Sequence, residues 1–407
     1  MKILEVLTYY RPHVSGLTIY AERLSQALAQ QGHDVTVLTS QYQDDLLLHE
    51  NLHGVNVHRV PVLVRVSKGV IMPTFGIQAT RLARETDIIH LHLPQFDAPG
   101  LALRGRLFGK PVVLTYHCDL QLPEGFFNRI VNRVVLLMNQ IAGNLSDAVV
   151  TYTRDYGTHS PFLSQYLGHK LHIIPPPVEL AACPADVEQV FRRRHGLGGK
   201  KVIGISARVA AEKGIEVLLK ALPIVLEAHP SAYVLHASPQ TLGEDAYARS
   251  LAPLMEQHRD HYRQLGALHG AELTAFYKNL DVLVIPSLNS TESFGLVQIE
   301  AMMNGAPVVA SNLPGVRQPV AMTGMGEVVP IADYRALAEA IISVLNHKEA
   351  YTRSSELIAE SFSPQQTADE YIRLFDELLR GKQDKSAREP RAYDRLRQMN
   401  ERSDVLR

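Results

Sequence analysis

The sequence predicts an α/β protein made of two doubly wound domains, each a parallel sheet flanked by helices. The chain opens with a βαβ pattern, in which 2–8 and 34–39 are strand-like and 17–31 is helical up to Gly32. Apolar strand runs then alternate with helical segments throughout both halves. Between the halves stand three prolines, 175–177, which fit neither a central strand nor a helix interior. A domain boundary is therefore expected directly after them.

Short apolar runs define the remaining strands, as in sheets that are covered on both faces. In the first half they lie at 87–93, 111–117, 148–153 and 171–175. In the second half they lie at 201–207, 233–237, 281–287, 307–311 and 327–331. We assign an N-terminal domain to 1–178, a C-terminal domain to 179–362, a helix packing back on the first domain to 363–380, and a charged tail, loosely helical or disordered, to 381–407.

Composition excludes several classes of protein. The 407 residues are 46% hydrophobic and 20% charged, which is typical of a globular chain with more than one core. The formal charge of -1 gives no overall attraction to nucleic acid, so no nucleic-acid partner is expected. Two cysteines without metal-ligand spacing are typical of a reducing compartment. Because Glu5 interrupts the first apolar run, that run is interpreted as a strand rather than a signal peptide, and we expect a cytoplasmic protein.

The segment 291–311, TESFGLVQIEAMMNGAPVVAS, carries the strongest local signal. A helix is predicted to begin at Gly295, which leaves the amides of Gly295, Leu296 and Val297 free to bind an anion. Glu292 precedes that helix and Glu300 lies inside it, so the two carboxylates flank the anion site. Carboxylates accept hydrogen bonds from vicinal hydroxyls such as those of a sugar or a ribose. The alternative is that Glu292 only interacts with the helix dipole and that Glu300 is a solvated surface residue.

These residues resemble glycosyltransferase family 4, in which two glutamates are separated by seven residues. Matching positions, besides the carboxylates and Gly295, are Ser293, Phe294, Ala301, Met302, Gly305, Pro307, Val308 and Val309. The resemblance implies the GT-B fold, two Rossmann-like domains facing a cleft, and a retaining transferase that uses a nucleoside-diphosphate sugar. It further implies that Glu292 contacts the donor sugar, that Glu300 binds the ribose, and that the amides of 295–297 hold the diphosphate.

Arg208 and Lys213 follow a predicted strand in the segment SARVAAEKG. On spacing alone they could be a solvated pair. The resemblance implies that both bind the donor diphosphate, as in the family's similar G-R-x4-K-G segment, although Ala207 replaces the glycine. Two fixed cations can offset the charge of a leaving diphosphate as a metal ion does, so no metal and no cofactor are expected.

The first domain offers candidate residues at two strand ends. Gly16 aligns with the second glycine of the family's phosphate-approaching loop, while Ser15 replaces the first; an ordinary loop glycine is the alternative. The resemblance implies that His117 contacts the donor sugar and, more weakly, that Asp119 lies on the acceptor side. A structural role is the alternative for His117, and it is as good an interpretation for His90 and His92.

The expected activity is transfer of a hexose-type sugar to a polysaccharide, a glycolipid or a small molecule, in cell-envelope or glycolipid synthesis. A nucleotide-sugar epimerase of the same architecture and a noncatalytic nucleotide-sugar-binding protein remain alternatives. A dinucleotide-dependent oxidoreductase is disfavoured because no G-x-G-x-x-G follows the first strand. The family's glycine-rich turn is absent near His236, and base contacts are expected around 268–272. The base, the sugar, the acceptor and the oligomeric state are left open.

The segment 125–143 has apolar residues at helical spacing together with Arg129 and Arg133. Such a helix could rest on a membrane surface close to a lipid-linked acceptor, which would make the protein peripheral at the inner face of the membrane. Packing against the core of its own domain is the alternative.

Overall fold

The structure is a computed structural model that describes residues 1–66, 69–121, 125–238, 245–381 and 389–405. It divides into two compact units. Unit 1 comprises Met1–Pro177 and Phe362–Pro390, and unit 2 comprises Val178–Ser361 and Arg391–Arg407. The chain thus returns to unit 1 near its C-terminus before it ends in unit 2.

Unit 1 is built on an eight-stranded sheet in the order β10-β9-β8-β7-β1-β2-β4-β3. All neighbouring strands are parallel except β3 and β4, and β5 and β6 form a separate antiparallel pair. The strands are β1 Lys2–Val6, β2 Asp34–Gln41, β3 His49–Leu52, β4 Val55–Pro61, β5 Val64–Val66, β6 Gly69–Ile71, β7 Ile88–Leu93, β8 Val112–Tyr116, β9 Ala148–Thr151 and β10 Leu171–Ile173. The helices that follow these strands are α1 Gly16–Gln30, α2 Phe75–Glu85, α3 Ala98–Phe108, α4 Phe126–Leu145 and α5 Arg154–His159.

Unit 2 repeats the architecture with a six-stranded, all-parallel sheet in the order β13-β12-β11-β14-β15-β16. Its strands are β11 Lys201–Ser206, β12 Ala232–Ala237, β13 Tyr262–Gly266, β14 Val282–Ile285, β15 Val308–Ser311 and β16 Gly326–Val329. The helices between Val178 and Ser361 are α6 Ala185–Arg194, α7 Ile215–Ala228, α8 Asp245–Gln257, α9 Gly270–Lys278, α10 Leu296–Met302, α11 Gln318–Thr323, α12 Tyr334–Asn346, α13 Lys348–Tyr351 and α14 Ser355–Ser361. The last two helices are α15 Pro364–Leu379, which belongs to unit 1, and α16 Arg391–Val405, which belongs to unit 2.

Helix α1 begins where Ser15 caps it. The Ser15 hydroxyl accepts a hydrogen bond from the amide of Thr18, and the Thr18 hydroxyl accepts one from the amide of Ser15. Buried residues at helical spacing, among them Tyr20 and Leu24, hold α1 in the core of unit 1, where α15 packs on it. The polypeptide that returns from unit 2 therefore completes the covering of the first sheet.

The tail differs from its prediction. Within 381–407 the residues of α16 form a continuous helix, and its Ala392, Tyr393 and Leu396 are buried against α11 and α14. A helix was one of the two predicted states, but these residues are neither disordered nor loosely held, because three apolar side chains on one face suffice to pack an otherwise charged helix. Residues 382–388 and 406–407 of the predicted tail lie outside the described residues. Among the described helices, none is both long enough and apolar enough to cross a membrane.

Candidate active-site residues in each unit

Two loops of unit 2 meet because their strands are neighbours. Strands β11 and β14 pair in parallel, so the loops that leave their carboxyl ends start at the same sheet edge. The amide of Leu288 donates a 2.9 Å hydrogen bond to the carbonyl of Glu212. Gly214 has a φ of +65°, and a Cβ there would lie 2.0 Å from the Pro286 carbonyl oxygen. Only glycine permits so close a contact between the two loops.

The two predicted cations are both ion-paired in this arrangement. Lys213 Nζ lies 2.6 Å from a carboxylate oxygen of Glu292, and Arg208 Nη2 lies 2.8 Å from one of Glu212. The side chains of Lys213 and Glu292 are 18% and 23% exposed, so the pair is accessible from solvent. The structure therefore brings together two residues that the sequence places 79 positions apart.

The loop after β14 leads into α10, which begins one residue later than predicted. Gly295 caps the helix with a φ of +76°, in the left-handed region that favours glycine. Because the helix starts at Leu296, the amides of Gly295, Leu296 and Val297 have no carbonyl one turn earlier within it. Phe294 is buried and anchors the turn that precedes them. The predicted anion-binding end of the helix thus lies three residues after Glu292.

Glu300 is buried rather than solvated. It is 7% exposed, and one carboxylate oxygen accepts a 2.7 Å hydrogen bond from the Tyr277 hydroxyl on α9. The alternative of a solvated surface glutamate is wrong, because α10 turns this side chain toward α9. The Tyr277 contact was not predicted, because it joins two helices on opposite sides of β14 in the chain.

His236, at the end of β12, supports the loop that carries Arg208. Its Nε2 lies 2.8 Å from the carbonyl oxygen of Ala207, and its Nδ1 is hydrogen-bonded to the Tyr262 hydroxyl. A neutral ring that donates from Nε2 and accepts at Nδ1 satisfies both contacts. Burial lowers the pKa of His236 to about 4. Sequence reasoning missed this role, since both partners are distant in the chain.

In unit 1 a buried carboxylate lies at the centre of a hydrogen-bond network. Glu5, on the central strand β1, is fully buried. Its oxygens lie 3.4 Å from His90 Nδ1 and 3.2 Å from His92 Nε2, both on β7, and 2.9 Å from the Ser25 hydroxyl. Burial by itself raises the pKa of Glu5, but the hydrogen bonds and charges of His90 and His92 lower it to about 2.

His117 belongs to the same network. It is 6% exposed, its Nε2 lies 3.0 Å from His92 Nδ1, and its Nδ1 is hydrogen-bonded to the Tyr152 hydroxyl. The ring of Tyr20 packs edge-on against it at 4.8 Å. Burial, assisted by the nearby His92 and His90, lowers the pKa of His117 well below its usual value. The structure thus places His117 at the end of β8, as predicted, with both ring nitrogens bonded inside unit 1.

A second branch of the network leads to α15. His90 Nε2 lies 2.7 Å from the Thr115 hydroxyl, which lies 2.6 Å from the Tyr371 hydroxyl, which in turn lies 2.7 Å from that of Tyr20. We call the buried groups Ser25, Glu5, His90, His92, His117, Tyr152, Thr115, Tyr371 and Tyr20 the Glu5 network. Burial, followed by the neighbouring His92, lowers the pKa of His90 to about 4.

Among the described residues, Glu5, His90 and His92 are the group whose ligand atoms lie close enough to hold a metal ion, within 4.8 Å of one another. Each of these atoms already takes part in a hydrogen bond of the Glu5 network. The hydrogen bonds account for the cluster without an ion. This cluster belongs to unit 1, whereas Lys213 and Glu292 belong to unit 2.

The two remaining candidates of unit 1 have different surroundings. Asp119 Oδ1 accepts hydrogen bonds from the hydroxyls of Tyr116 at 3.0 Å and Ser160 at 2.7 Å, so it holds the loop after β8 together. Gly16 is the first residue of α1, and a Cβ there would meet no atom within 4 Å. Packing in the protein itself therefore does not require glycine at position 16.

Two family descriptions cover most of the chain. Residues 187–360 match "Glycosyl transferases group 1", and residues 14–182 match "Glycosyltransferase Family 4". Over 336 residues the chain is 30% identical to an uncharacterized glycosyltransferase of Methanocaldococcus jannaschii, an alignment that covers 78% of this chain and 82% of the relative. The chain belongs to the group 1 and family 4 glycosyltransferases.

Further relatives of this glycosyltransferase agree with that assignment. It is 25% identical over 384 residues to the phosphatidyl-myo-inositol mannosyltransferase of Mycobacterium leprae, covering 92% of this chain and 96% of the relative. The crystal structure of Anabaena HepE in complex with UDP-glucose has a TM-score of 0.72 and 18% identity, covering 93% of this chain and 100% of that one. That likeness concerns the fold, and the predicted GT-B class of two Rossmann-like domains is confirmed.

The buried histidines predict that the glycosyltransferase loses stability in mild acid. Burial lowers the pKa of His236 and of His90 to about 4, so below their unfolded pKa of 6.5 the unfolded state binds more protons. Stability is fully present above pH 6.5 and declines as the pH falls toward 4, by up to about 3 kcal/mol per histidine. Thermal unfolding of the wild type and of His236→Gln between pH 7.5 and 4.5 measures the effect.

In His236→Gln, the side-chain amide can donate to Ala207 and accept from Tyr262, but it does not titrate. The melting temperature of this variant should therefore fall less than that of the wild type over the same pH range. Equal losses in the two proteins would show that His236 does not carry this acid sensitivity.

Proposed function

We propose that the protein is a retaining, metal-independent glycosyltransferase that moves a hexose-type sugar from a nucleoside-diphosphate sugar to a hydroxyl acceptor. The observation that carries this proposal is the contact of Lys213 with Glu292, three residues before the first amide of the α10 start. A cation, an acid and free helix amides at one sheet edge suit a ligand with both a diphosphate and hydroxyl groups. Family membership supports the transferase reaction.

In this proposal the ion pairs hold the cations until a donor binds. Lys213 then exchanges Glu292 for a phosphate oxygen, and the guanidinium of Arg208, which carries five N–H donors, binds phosphate beside Glu212. As the bond from the anomeric carbon to the phosphate oxygen breaks, the two cations and the amides of 295–297 stabilise the charge of the leaving diphosphate. These groups supply what a divalent metal supplies elsewhere, so the proposal needs no cofactor.

The two glutamates would hold the two ends of the donor. Glu292, released from Lys213, accepts hydrogen bonds from the sugar hydroxyls. Glu300 accepts from the ribose hydroxyls, and the Tyr277 hydroxyl fixes the orientation of its carboxylate. His236 contributes indirectly, because its bond to Ala207 holds the backbone directly before Arg208.

We further propose that Gly16 and His117 of unit 1 contact the donor and that Asp119 lies on the acceptor side. The open space around Gly16 leaves room for a phosphate or sugar. His117 acts through its main chain or ring edge, since both ring nitrogens are hydrogen-bonded within unit 1. A base is not needed from the protein, because the departing phosphate oxygen takes the proton of the acceptor hydroxyl while the new glycosidic bond forms on the same face. Asp119 is assigned to the acceptor side, where it orders the loop after β8.

The proposal is tested by a thermal-shift screen in EDTA with UDP, GDP and ADP and with UDP-glucose, GDP-mannose and ADP-glucose. A bound donor raises the melting temperature of the protein by mass action. The nucleotides that carry the base the protein prefers should raise it most. The donor found this way should be hydrolysed without added acceptor, and NMR should show the anomer of the donor in the first-formed sugar. An inverted product would contradict retention, and activity only with a divalent metal would contradict metal independence. An epimerised sugar nucleotide, or binding without turnover, would contradict the transferase reaction itself.

Replacing Lys213 should slow the reaction more than it weakens the fold. Lys213→Met keeps the aliphatic stem but removes the charge that would stabilise the leaving diphosphate, so kcat for donor hydrolysis should fall by about 100-fold or more. Lys220→Met, on the exposed face of α7, is the matched control and should keep the wild-type rate. Wild-type kcat in Lys213→Met would remove the lysine from the mechanism.

A second proposal concerns a peripheral contact of unit 1 with an anionic membrane. Five exposed apolar residues of α4 are spaced by four, four, three and four positions, which places them on one face of the helix. They are Phe126, Ile130, Val134, Leu137 and Ile141. Core packing does not explain this face, because each of these side chains is at least 37% exposed. Exposed apolar faces of this kind mark interaction surfaces.

The charge of the neighbouring helices supports the same proposal. Helices α2, α3 and α4 carry six arginines and one glutamate, whereas the whole chain has a net charge of -1. Three of these arginines, Arg81, Arg84 and Arg104, line a groove between α2 and α3. Together, an apolar stripe and local basic charge fit a surface of anionic lipid. The name of the Mycobacterium leprae relative includes a lipid, phosphatidyl-myo-inositol, and this supports the proposal of a lipid acceptor for the present protein.

Charge reversal on α4 should weaken membrane binding. Arg129 and Arg133 are exposed, and each basic residue near an anionic surface contributes about 1 kcal/mol. The double variant Arg129→Glu, Arg133→Glu should therefore bind phosphatidylglycerol vesicles at least roughly 30-fold more weakly in co-sedimentation. The double variant Arg193→Glu, Lys220→Glu in unit 2 is the control and should sediment like the wild type. Unchanged binding of the α4 variant would remove the basis of this second proposal.

A further inference from the structure

The protons of the Glu5 network can be assigned from a single starting point. Three groups that can donate hydrogen bonds, Ser25, His90 and His92, converge on the Glu5 carboxylate, and its pKa near 2 agrees with an ionised group whose oxygens only accept hydrogen bonds. His92 Nε2, 3.2 Å from one oxygen, must therefore carry a proton, and in the tautomer that carries its single proton there the Nδ1 is bare. His117 Nε2, 3.0 Å from that bare nitrogen, must carry the next proton. The Nδ1 of His117 is then bare and accepts from the Tyr152 hydroxyl.

The other branch obeys the same rule. His90 Nδ1 donates to the second oxygen of Glu5, so its Nε2 accepts from the Thr115 hydroxyl. The Thr115 hydroxyl then accepts a hydrogen bond from the Tyr371 hydroxyl, and the Tyr371 hydroxyl accepts one from the Tyr20 hydroxyl. Every hydrogen bond in both branches is satisfied with one carboxylate and three neutral imidazoles, which is the requirement for polar groups buried this deeply. The ionised carboxylate of Glu5 thus determines which atom donates and which accepts in each of these hydrogen bonds.

We propose that Glu5 is a positioning residue which, acting through His92, holds His117 in one tautomer and one ring orientation at the end of β8. The proposal rests on the proposed role of His117 in binding the donor sugar. Glu5 touches no substrate itself, since its carboxylate is enclosed by His90, His92 and Ser25 and is fully buried. A ring held in this way keeps the main chain of residue 117 fixed and offers no free nitrogen to the acceptor proton.

A purely structural role would make the two histidines on β7 equivalent. His90 and His92 are both buried, lie two residues apart on the same strand, and each donates one hydrogen bond to Glu5. His92 contacts His117, through the 3.0 Å hydrogen bond and a stacked arrangement of the rings at 5.2 Å. The ring of His90 instead packs near Tyr371 and Phe375. The pair His92→Phe and His90→Phe therefore matches the change in size, burial and lost hydrogen bonds, and differs in the link to His117.

The direct test is ¹⁵N NMR of the full-length protein labelled at histidine, with the His117 signals assigned from His117→Gln. In the wild type, His117 should be protonated at Nε2 and bare at Nδ1. In His92→Phe the Nε2 proton loses its acceptor, so the signals should move toward the opposite tautomer, which donates to Tyr152. In His90→Phe the His117 signals should stay at their wild-type positions. The opposite tautomer in the wild type, or equal changes in both variants, would overturn the proposal.

The kinetic test uses the donor found by the thermal-shift screen. His92→Phe should lower kcat for donor hydrolysis at least about tenfold with a smaller change in KM, because small misplacements of a site group slow the reaction. His90→Phe should remain within about threefold of the wild type. If the protein transfers no sugar at all, the proposed function fails while the NMR result still decides the tautomer; if kcat responds equally in both variants, the positioning role fails while the transferase stands.

Glu5 itself can be changed in two ways that separate its effect from folding. His92 and the Ser25 hydroxyl, whose single proton is shared between Glu5 and the carbonyl oxygen of Ala21, face one oxygen, and His90 alone faces the other, so the amide of Glu5→Gln should place its oxygen toward His92. The His117 tautomer should then persist while His90 reverses, and kcat should stay within about threefold. Glu5→Leu removes the acceptor and should match His92→Phe. A reversed His117 tautomer in folded Glu5→Gln would contradict the assignment.

Discussion

Parallel pairing of strands is the constraint on which the geometry of both units depends. In a parallel sheet every strand ends at the same edge, so loops that are far apart in sequence start side by side. In unit 2 this brings the loop after β11 against the loop after β14, and with them Lys213 against Glu292. In unit 1 it brings the end of β7 beside the end of β8, so that His92 can contact His117. The chemistry of each unit is assembled by sheet order rather than by chain order.

The two units handle their charges in opposite ways. Glu5 lies in the middle of the first sheet, where water does not reach it, and a buried carboxylate must keep all of its hydrogen bonds. Its partners are consequently fixed. Lys213 and Glu292 are partly exposed at a sheet edge, where an ion pair contributes little to stability and can be exchanged at low cost. The first arrangement suits holding a group in place, and the second suits binding and releasing a charged ligand.

The positions of most helices and strands could be predicted from the pattern of apolar residues, and the described ends agree within a few residues, as for α1, β2 and α15. The segment between β2 and α2 could not. There β3 pairs antiparallel with β4 in the main sheet and β5 pairs with β6 separately, and β3 and β6 contain no buried residue that would signal a strand. The packed part of α16 was missed for a related reason. Its three buried side chains are outnumbered by charges, and only the surface of α11 and α14 reveals that they have a place to pack.

By itself the sequence determined the two doubly wound domains and the family, because the order of strands and helices and the residues of 291–311 are properties of neighbouring positions. It also placed Glu292, Arg208, Lys213 and His117 at or just beyond strand ends and Glu300 inside the following helix. Tertiary structure decided what those residues touch: Lys213 on Glu292, Tyr277 on Glu300, and Glu5 connected through His92 to His117. The reason is that a hydrogen bond or ion pair depends on distances of about 3 Å between atoms, which sheet order and burial set and which sequence spacing does not express.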